Sequence, residues 1–378
     1  MEDSAVSKSM KRPTPDSPAS EWKKWKHEVR KNRTRQVDVD LEKQHRKEAA
    51  QRIAIEEEKQ RQKEEEELKK KIGYNHTISI ALPGSILDNA QSPELRTYLA
   101  GQIARACVIF KVDEIIIFDE AGFSSESITG VYDGVGKRGN ANVQMARILQ
   151  YLECPQYLRK HFFPKHSDLQ YAGVLNPLDT PHHMRIDDEC EFREGVVLDR
   201  PVKGGKGSFV NAGLRKEIRI DRQLRDGLRV TVRLDNKQTD EDRRYYTGKV
   251  VSPRCPCTDR GLYWGYTVRL ASSLSKVFTE SSYKNGYDLT IGTSDSGDDI
   301  DHATFSKFNH ALVVFGGLKG LEYSLDCDEK LKIHEVNDLF DMYINTCPKQ
   351  GSRTIRTEEA ILITMAALRP RIIQALNT

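Results

Sequence analysis

The chain lacks the apolar segments that mark membrane and secreted proteins. No apolar run among its 378 residues is long enough to cross a bilayer, and the N-terminal region has no apolar core of the kind found in signal peptides. We therefore expect no membrane-spanning segment and no entry into the secretory pathway.

The cysteines of the chain form no recognisable pattern. The seven cysteines are scattered apart from Cys255-Pro256-Cys257, and they form no pair of metal-ligand doublets. Such cysteines are typical of reduced thiols inside the cell, so we expect neither a disulfide framework nor a metal site. The phosphate-loop pattern Gly-x-x-x-x-Gly-Lys-Ser/Thr is absent from the chain as well.

Charge is distributed unevenly along the chain. The formal net charge is +3, but residues 1–72 hold 20 Lys/Arg against 16 Asp/Glu, and residues 185–286 hold 21 against 15. The rest of the chain is therefore acidic. A polyanionic partner is expected to bind the N-terminal segment or the central one.

The N-terminal segment has two parts. Residues 1–20 are polar and rich in Ser and Pro, and we expect them to be disordered. Residues 21–72 consist mostly of charged residues and good helix formers without Gly or Pro, which predicts a charged helical arm. Two interpretations are open: a solvated single helix with local Glu–Lys pairs, or a basic arm from Trp22 to Arg35 that contacts RNA or carries a nuclear-import signal.

Alternating strand and helix patterns flank a stretch of short strands. Residues 73–184 and 287–378 predict one α/β domain with a largely parallel sheet, in which Ser92 and Pro93 start a helix. Residues 185–286 contain closely spaced strand patterns separated by Gly, Pro, Asp and Asn, which are typical of a small β-barrel. We predict that this barrel is an insertion into a single α/β domain.

The predicted barrel carries a candidate RNA-binding face. Apolar and polar residues alternate over Leu228–Leu234, which places Arg229 and Arg233 on one face of a strand. Together with Tyr263 and Trp264 they would form a basic face with stacking platforms, which suits single-stranded RNA. The alternative is that the aromatic side chains belong to the barrel core and the arginines are merely solvated.

Three glycine-containing or polar loops follow predicted strands of the α/β domain. They are Gly292-Thr293-Ser294, Gly316–Gly320 and Asn345–Arg356. In open α/β sheets, ligands bind outside the carboxyl ends of strands, and glycine lets a flat ligand approach the backbone closely. Together the loops predict one cofactor site. Glu358 and Glu359 then begin a helix, where acidic residues also complement the helix dipole.

Three stretches of the chain resemble the SPOUT class of RNA methyltransferases: Asp88–Arg96, Val313–Gly317 and Asn345–Ala360. The resemblance extends over residues 74–378 and is closest to the eukaryotic and archaeal branch with a β-barrel insertion. It implies an α/β domain with a deep trefoil knot, an inserted OB-like barrel, and a homodimer with each active site near the dimer interface.

The resemblance also implies the cofactor, S-adenosyl-L-methionine, bound within the knot. The positions implied to hold it are Ile291, Gly292, Thr293, Phe315, Gly316, Gly317, Gly320, Asn345, Thr346, Cys347, Gly351 and Ser352. Asn89 and Arg96 are similar to the Asn and Arg of the first motif, in which the arginine faces the target nucleotide.

Relatives in this branch are implied to methylate N3 of a uridine in large-subunit (28S) ribosomal RNA. The N3 atom carries a proton, so the reaction needs a base or a group that stabilises the developing anion. Our candidates are Arg356 for the negative charge and Glu358 as proton acceptor. A buried pair of Arg356 with Glu358 or Glu359 and no catalytic role is the alternative. His182 and His183 are expected to be structural.

Two functions follow as hypotheses. The first is an RNA methyltransferase of the nucleus, nucleolus and cytoplasm. The second is suggested by the vertebrate member of the branch, which is associated with the spindle, kinetochore and centrosome in mitosis: a binding protein in which the knot serves as a dimerisation scaffold. The glycines retained in all three loops favour the first.

Overall fold

The computed structural model describes residues 12, 14, 18–31, 58–59, 73–122, 137–201, 207–235 and 244–377. They belong to two compact units, Met1–Lys71 and Ile72–Thr378. In the first unit residues 19–31 form a helix, α1, on which the rings of Trp22 and Trp25 meet edge to face with centroids 5.8 Å apart. Most of the segment predicted to be disordered (1–20) and of the predicted charged arm (21–72) lies outside the described residues.

The second unit contains all the described strands. In chain order they are β1 (Thr77–Pro83), β2 (Glu114–Phe118), β3 (Phe192–Val197), β4 (Ser208–Asn211), β5 (Ile218–Ile220), β6 (Arg229–Leu234), β7 (Tyr246–Val251), β8 (Thr267–Ala271), β9 (Leu289–Asp299), β10 (His310–Phe315) and β11 (Met342–Asn345). The helices are α2 (Pro93–Ile109), α3 (Lys137–Glu153), α4 (Arg159–Phe162), α5 (Cys255–Arg260), α6 (Leu274–Thr279), α7 (Gly320–Asp326) and α8 (Thr357–Asn377). Short 3₁₀ segments cover Gly84–Asn89, Ser167–Leu169, Ala172–Val174, Ile300–His302 and Val336–Leu339.

Six strands form one sheet in the order β11-β9-β10-β1-β2-β8, and all neighbouring pairs are parallel. Parallel sheets are covered on both faces, and every position of β1 and β2 is accordingly buried. On one face α2, α3 and α8 pack around Ile80 and Met365, and on the other α6 and α7 pack around Phe118 and Leu321. The predicted α/β domain with a parallel sheet is confirmed.

Helix α2 starts as its sequence predicts. The Ser92 side chain accepts a hydrogen bond from the backbone N of Leu95 at 3.3 Å, and Pro93 occupies the first helical position. The 3₁₀ segment that ends at Asn89 leads into this helix. None of the described helices is long and apolar enough to cross a membrane.

The insertion is a closed barrel of five strands in the order β3-β4-β5-β7-β6, around a core that includes Val210, Ile218 and Val232. The barrel is confirmed, but the prediction that it extends to residue 286 is wrong. Residues Thr267–Ala271, inside the segment assigned to the barrel, form β8, which pairs parallel with β2 in the large sheet. Its Val268 and Leu270 pack against the α/β core, which explains the assignment.

Candidate active site

The three predicted loops lie together at one edge of the sheet. The strands β9, β10 and β11 are parallel, and Thr293 pairs with Phe315 at the carboxyl end of β10. Residues from all three loops line a cavity of about 570 Å³, which we call the donor cavity. This volume is in the range of small-molecule sites.

The first loop is a bulge within β9. It spans residues 293–297, where the pairing of β9 with β11 shifts register. Thr293 Oγ1 donates a hydrogen bond to the Val314 carbonyl oxygen at 3.0 Å, which ties the start of the bulge to β10. Asn345 Nδ2 donates to the carbonyl oxygen of Asp295 at 2.9 Å, so the bulge is also tied to the third loop.

The second loop, Gly316–Gly320, is a tight turn. Gly320 has a φ of +78°, which favours glycine, and its N–H donates to the Gly317 carbonyl oxygen at 3.1 Å. A Cβ on Gly316 would lie 2.8 Å from the carbonyl carbon of Gly320. A side chain at Gly316 would therefore displace the turn, which makes glycine a structural requirement there.

The third loop is braced by side chains of its own and of the following helix. Asn345 Oδ1 accepts a hydrogen bond from the backbone N of Cys347 at 3.0 Å, and Lys349 has a positive φ of 58°. Thr357, the first residue of α8, donates from Oγ1 to the Gly316 carbonyl oxygen at 3.1 Å. Thr357 was not predicted as a site residue, yet it links the second loop to the third.

Glu120 is a further residue that sequence reasoning missed. It accepts a hydrogen bond from Ser85 Oγ at 2.6 Å through Oε1, while its Oε2 lies against Gly317, where a Cβ would clash with it. Within the described part of the chain this buried Oε2 has no hydrogen-bond partner. Glu120 follows the end of β2, so the rule that ligands lie beyond strand ends would have found it.

The structure divides the predicted donor-binding residues into two groups. Those lining the donor cavity are Thr293, Phe315, Gly316, Gly317, Gly320, Asn345, Thr346 and Cys347. Those that do not line it are Ile291, Gly292, Gly351 and Ser352. Ile291 is buried in the sheet, and a Cβ on Gly292 would lie 2.5 Å from the Phe340 ring. Packing of that ring accounts for glycine at this position.

Arg356 and Glu358 lie where the donor cavity meets a second one. Both line the donor cavity and a neighbouring cavity of about 500 Å³ beside α2, which we call the α2 cavity. The Arg356 side chain is 72% exposed, and its Nη1 is 3.9 Å from Glu358 Oε1. Arg356 is therefore not buried, in contrast to the buried pair of the structural alternative. Glu359 instead accepts a hydrogen bond from the backbone N of Arg356 at 3.1 Å, as in a capping box.

Arg96 is not among the residues that line the donor cavity. Its Nη2 is 3.2 Å from Asp88 Oδ1, and its side chain is partly exposed. Asn89, the neighbour of Asp88, does line the cavity. The ion pair thus holds Arg96 next to the site without placing it among the lining residues.

The predicted basic face of the barrel is neutralised. Arg229 donates to both carboxylate oxygens of Glu153, at 2.6 and 2.9 Å, and to Glu194 at 2.8 Å. Arg233 pairs with Glu191 at 2.6 Å and with Asp259 at 3.0 Å. Both arginines therefore hold carboxylates of their own chain.

The prediction of exposed stacking platforms is wrong. Tyr263 and Trp264 are buried, and their polar atoms donate to the Val112 carbonyl oxygen and to Glu194 Oε1, each at 2.6 Å. Burial raises the pKa of Tyr263 well above its ordinary value. The open alternative, in which these aromatics are core residues, is correct in placing them inside, although they pack at the junction of the barrel and the sheet.

His182 and His183 complete the same junction, which supports a structural role. Their Nε2 atoms lie 2.9 and 2.7 Å from the Glu153 carbonyl oxygen. Burial alone would raise the pKa of Glu153, but the hydrogen bond from His182 and the charge of Arg229 outweigh it and lower the pKa to about 2. Burial, aided by His182, lowers the pKa of His183 to about 4. Among the described residues, no group of three or more His, Cys, Asp or Glu side chains is placed to hold a metal ion.

Sequence comparisons with known proteins identify one family. A family model described as "Putative RNA methyltransferase" matches residues 77–368. The 28S rRNA (uridine-N(3))-methyltransferase of Homo sapiens is 66% identical over 307 residues, covering 81% of this chain and 81% of the human protein. The protein of the same name from Mus musculus is 61% identical over 354 residues, covering 94% of this chain and 91% of its own. The solved SpoU methyltransferase AviRb of Streptomyces viridochromogenes is 12% identical, covers 79% of this chain and 59% of its own, and has a TM-score of 0.28.

Proposed function

Because the chain belongs to this RNA methyltransferase family, we propose that it methylates N3 of a uridine in large-subunit (28S) ribosomal RNA with S-adenosylmethionine as the methyl donor. The human and mouse relatives carry that activity in their names, and they match along most of their length. The observation that carries the proposal is the position of Arg356 and Glu358, which line both the donor cavity and the α2 cavity.

The donor cavity fits S-adenosylmethionine in size and in lining. Its volume is about 570 Å³, and Gly316, Gly317 and Gly320 in its wall leave backbone groups without a covering side chain. When bound, the cofactor supplies a methyl group activated by a sulfonium. The protein then has to orient the substrate and balance its charge.

Arg356 and Glu358 have different roles in the proposed reaction. A uracil in the α2 cavity would have its carbonyl oxygens within reach of the exposed Arg356 guanidinium, which stabilises the negative charge that develops on them. Glu358 is only 14% exposed and accepts the N3 proton. Arg96 lines neither cavity but is held by Asp88 beside Asn89, from where it would contact the incoming nucleotide outside them.

A homodimer would complete the α2 cavity. Tyr98, Ile109 and Leu362 all line it, and all three are large side chains left substantially exposed. Apolar surface of this kind beside a catalytic cavity is typical of an interface. A second copy of the chain packed on α2 and α8 would cover it and narrow the entrance for the base.

RNA binding by the barrel is retained in the proposal, but on another face. Val210 packs in the barrel core, whereas its neighbour Phe209 lies on the opposite face of β4 and is also buried. The Arg200 guanidinium lies 4.5 Å from the Phe209 ring centroid, and the Tyr245 ring lies 5.6 Å from it. Phe209 is buried beneath Arg200, which pairs with Glu217, so a nucleotide base that stacks on Phe209 would have to displace Arg200 from both partners.

A second candidate function concerns α1. Its residues are mostly exposed, and Trp22 and Trp25 lie among basic residues of the same helix. Such a helix suits binding to a partner protein, which supports an additional role at the spindle, kinetochore or centrosome besides a nuclear or nucleolar one. Imaging of Trp22→Ala/Trp25→Ala in mitotic cells tests it: unchanged localisation would exclude α1 as the targeting element.

Calorimetry of the full chain with S-adenosylhomocysteine, paired with a methyl-transfer assay on large-subunit rRNA, tests the main proposal. We expect Arg356→Ala to bind S-adenosylhomocysteine like the unmodified chain and to lose about 100-fold or more in transfer rate. Lys330→Ala is the control, because Lys330 is exposed and precedes Leu331, which packs on the face of the sheet covered by α6 and α7. Absence of binding would favour the scaffold hypothesis, and retained turnover would remove Arg356 from the mechanism.

A further inference from the structure

A third cavity, of about 540 Å³, opens beside the end of α3. Its lining includes Tyr151, Phe163, Lys165, His166 and Gln170. We call it the junction groove. None of these residues belongs to the donor cavity or the α2 cavity.

Two aromatic rings form one wall of the junction groove. Tyr151 and Phe163 meet edge to face with centroids 5.5 Å apart, and both are only half-buried. The Arg159 guanidinium lies 4.4 Å from the Tyr151 centroid, on the ring face. Half-buried aromatic rings beside a guanidinium offer the kind of surface on which a nucleotide base stacks.

Exposed lysines border the junction groove, and the adjacent carboxylate of Asp168 is already paired with Arg147 and lies 3.3 Å from His166 Nδ1. Residues 154–167 contain Arg159, Lys160 and Lys165 but no Asp or Glu. Lys160 and Lys165 are exposed, and neither forms an ion pair with any residue that the structure describes. Lysines without carboxylate partners are free to bind phosphate groups. This contrasts with Arg229, which is held by two carboxylates.

The junction groove lies between the barrel and the site of the proposed reaction. Phe163 packs in the same small cluster as Leu198, just beyond the barrel strand β3. Ala172 lines the groove and begins a 3₁₀ turn that ends next to Leu175, which lines the α2 cavity. One short turn therefore separates the groove from the cavity that contains Arg356.

From these contacts we infer that the junction groove binds single-stranded RNA, with an unpaired base against Tyr151 and Phe163 and phosphates on Lys160 and Lys165. The inference rests on the proposed function and extends it, because it assigns the path of the substrate strand from the barrel to the methylated uridine. An acidic peptide would satisfy the lysines but would make no use of the rings, so RNA is the better fit.

Binding of a fluorescent single-stranded oligouridine to the full chain, titrated over a range of salt concentrations, tests the inference. We expect Lys160→Ala/Lys165→Ala to weaken binding about tenfold at low salt and to reduce the salt slope by about 1.4, since each phosphate contact on a single strand contributes about 0.7. Tyr151→Leu keeps apolar bulk and should weaken binding at least about fivefold with an unchanged slope. Lys330→Ala/Lys332→Ala, an exposed lysine pair on the other side of the sheet, should change neither.

The outcomes separate this inference from the proposed function. If the unmodified chain binds oligouridine and all variants match it in affinity and slope, the junction groove is not an RNA site, while the proposed function stands. Absence of both oligouridine and S-adenosylhomocysteine binding would overturn the two together. A third outcome also refutes the inference: polyglutamate of equal charge competes with oligouridine, and Tyr151→Leu has no effect on oligouridine binding. The junction groove would then be a site for acidic ligands.

Discussion

Substituting Arg229 by alanine should destabilise the protein strongly, because this arginine holds two buried carboxylates at the junction of the barrel and the α/β domain. Its guanidinium makes charge-assisted hydrogen bonds to Glu153 and Glu194, and both carboxylates are almost fully buried. Removing one partner of a buried ion pair leaves an uncompensated charge, which typically costs about 3–5 kcal/mol. Arg229→Ala leaves two such charges, so we expect the upper part of that range.

Urea unfolding, followed by circular dichroism at neutral pH, measures this loss. Arg215→Ala is the control, because Arg215 pairs with Asp187 at 2.8 Å on the surface, where both side chains are more than two-thirds exposed. Such a pair contributes less than about 1 kcal/mol. Adding Glu153→Gln to Arg229→Ala should restore part of the stability, since the amide removes one of the unpaired charges.

The opposite result would revive the interpretation of Arg229 as an RNA-binding residue. If Arg229→Ala were as stable as Arg215→Ala and instead lost RNA affinity with a smaller salt slope, the arginine would be available to phosphates. The ion pairs with Glu153 and Glu194 would then not persist in solution.

Three further predictions concern the junction, the donor cavity and the dimer. The pKa of His183 is about 4 in the folded chain and about 6.5 in the unfolded chain, so the unfolded chain binds more protons between these values. The free energy of unfolding should therefore fall by roughly 1–3 kcal/mol as the pH drops through this window. His183→Gln should lack that loss in urea unfolding measured at several pH values. Gly316→Ala should reduce the affinity for S-adenosylhomocysteine at least about tenfold in calorimetry, because the new Cβ would clash with the backbone. Gly351→Ala should leave the affinity unchanged, since no atom lies within 4 Å of a Cβ at that position. Equal affinities of the two variants would contradict this account. Leu362→Glu should convert a dimer to a monomer in light scattering, because the dimer interface would have to bury the new charge. Ile186→Glu, at a residue of similar exposure, should leave the dimer intact. A monomeric unmodified chain would refute the interface.

Local patterns predicted the elements of the α/β domain and the place of its site. The cap at Ser92 and the buried strands depend on neighbours a few residues away, and strand direction brings the carboxyl ends of β9, β10 and β11 to one edge. Glycine in the strand-end loops was an equally local signal. Gly316 and Gly320 are required by the geometry of one turn.

Long-range pairing was beyond the reach of the same patterns. The alternation in Leu228–Leu234 correctly placed Arg229 on the face opposite Val232, but it gave no sign that Glu153, 76 residues earlier, would meet that face. The local sequence allowed Tyr263 and Trp264 to be either exposed or buried. Their burial depends on the strand that follows them, which joins the large sheet rather than the barrel. Gly292 was attributed to a ligand, whereas the ring of Phe340 explains it.

The most direct test of the central claim is nucleoside mass spectrometry of large-subunit rRNA incubated with the purified chain and isotopically labelled S-adenosylmethionine. We predict label in 3-methyluridine for the unmodified chain and for Lys330→Ala, and none for Arg356→Ala. Label in a ribose-methylated nucleoside, or in no nucleoside at all, would contradict the assignment of Arg356 and Glu358 to chemistry at uridine N3.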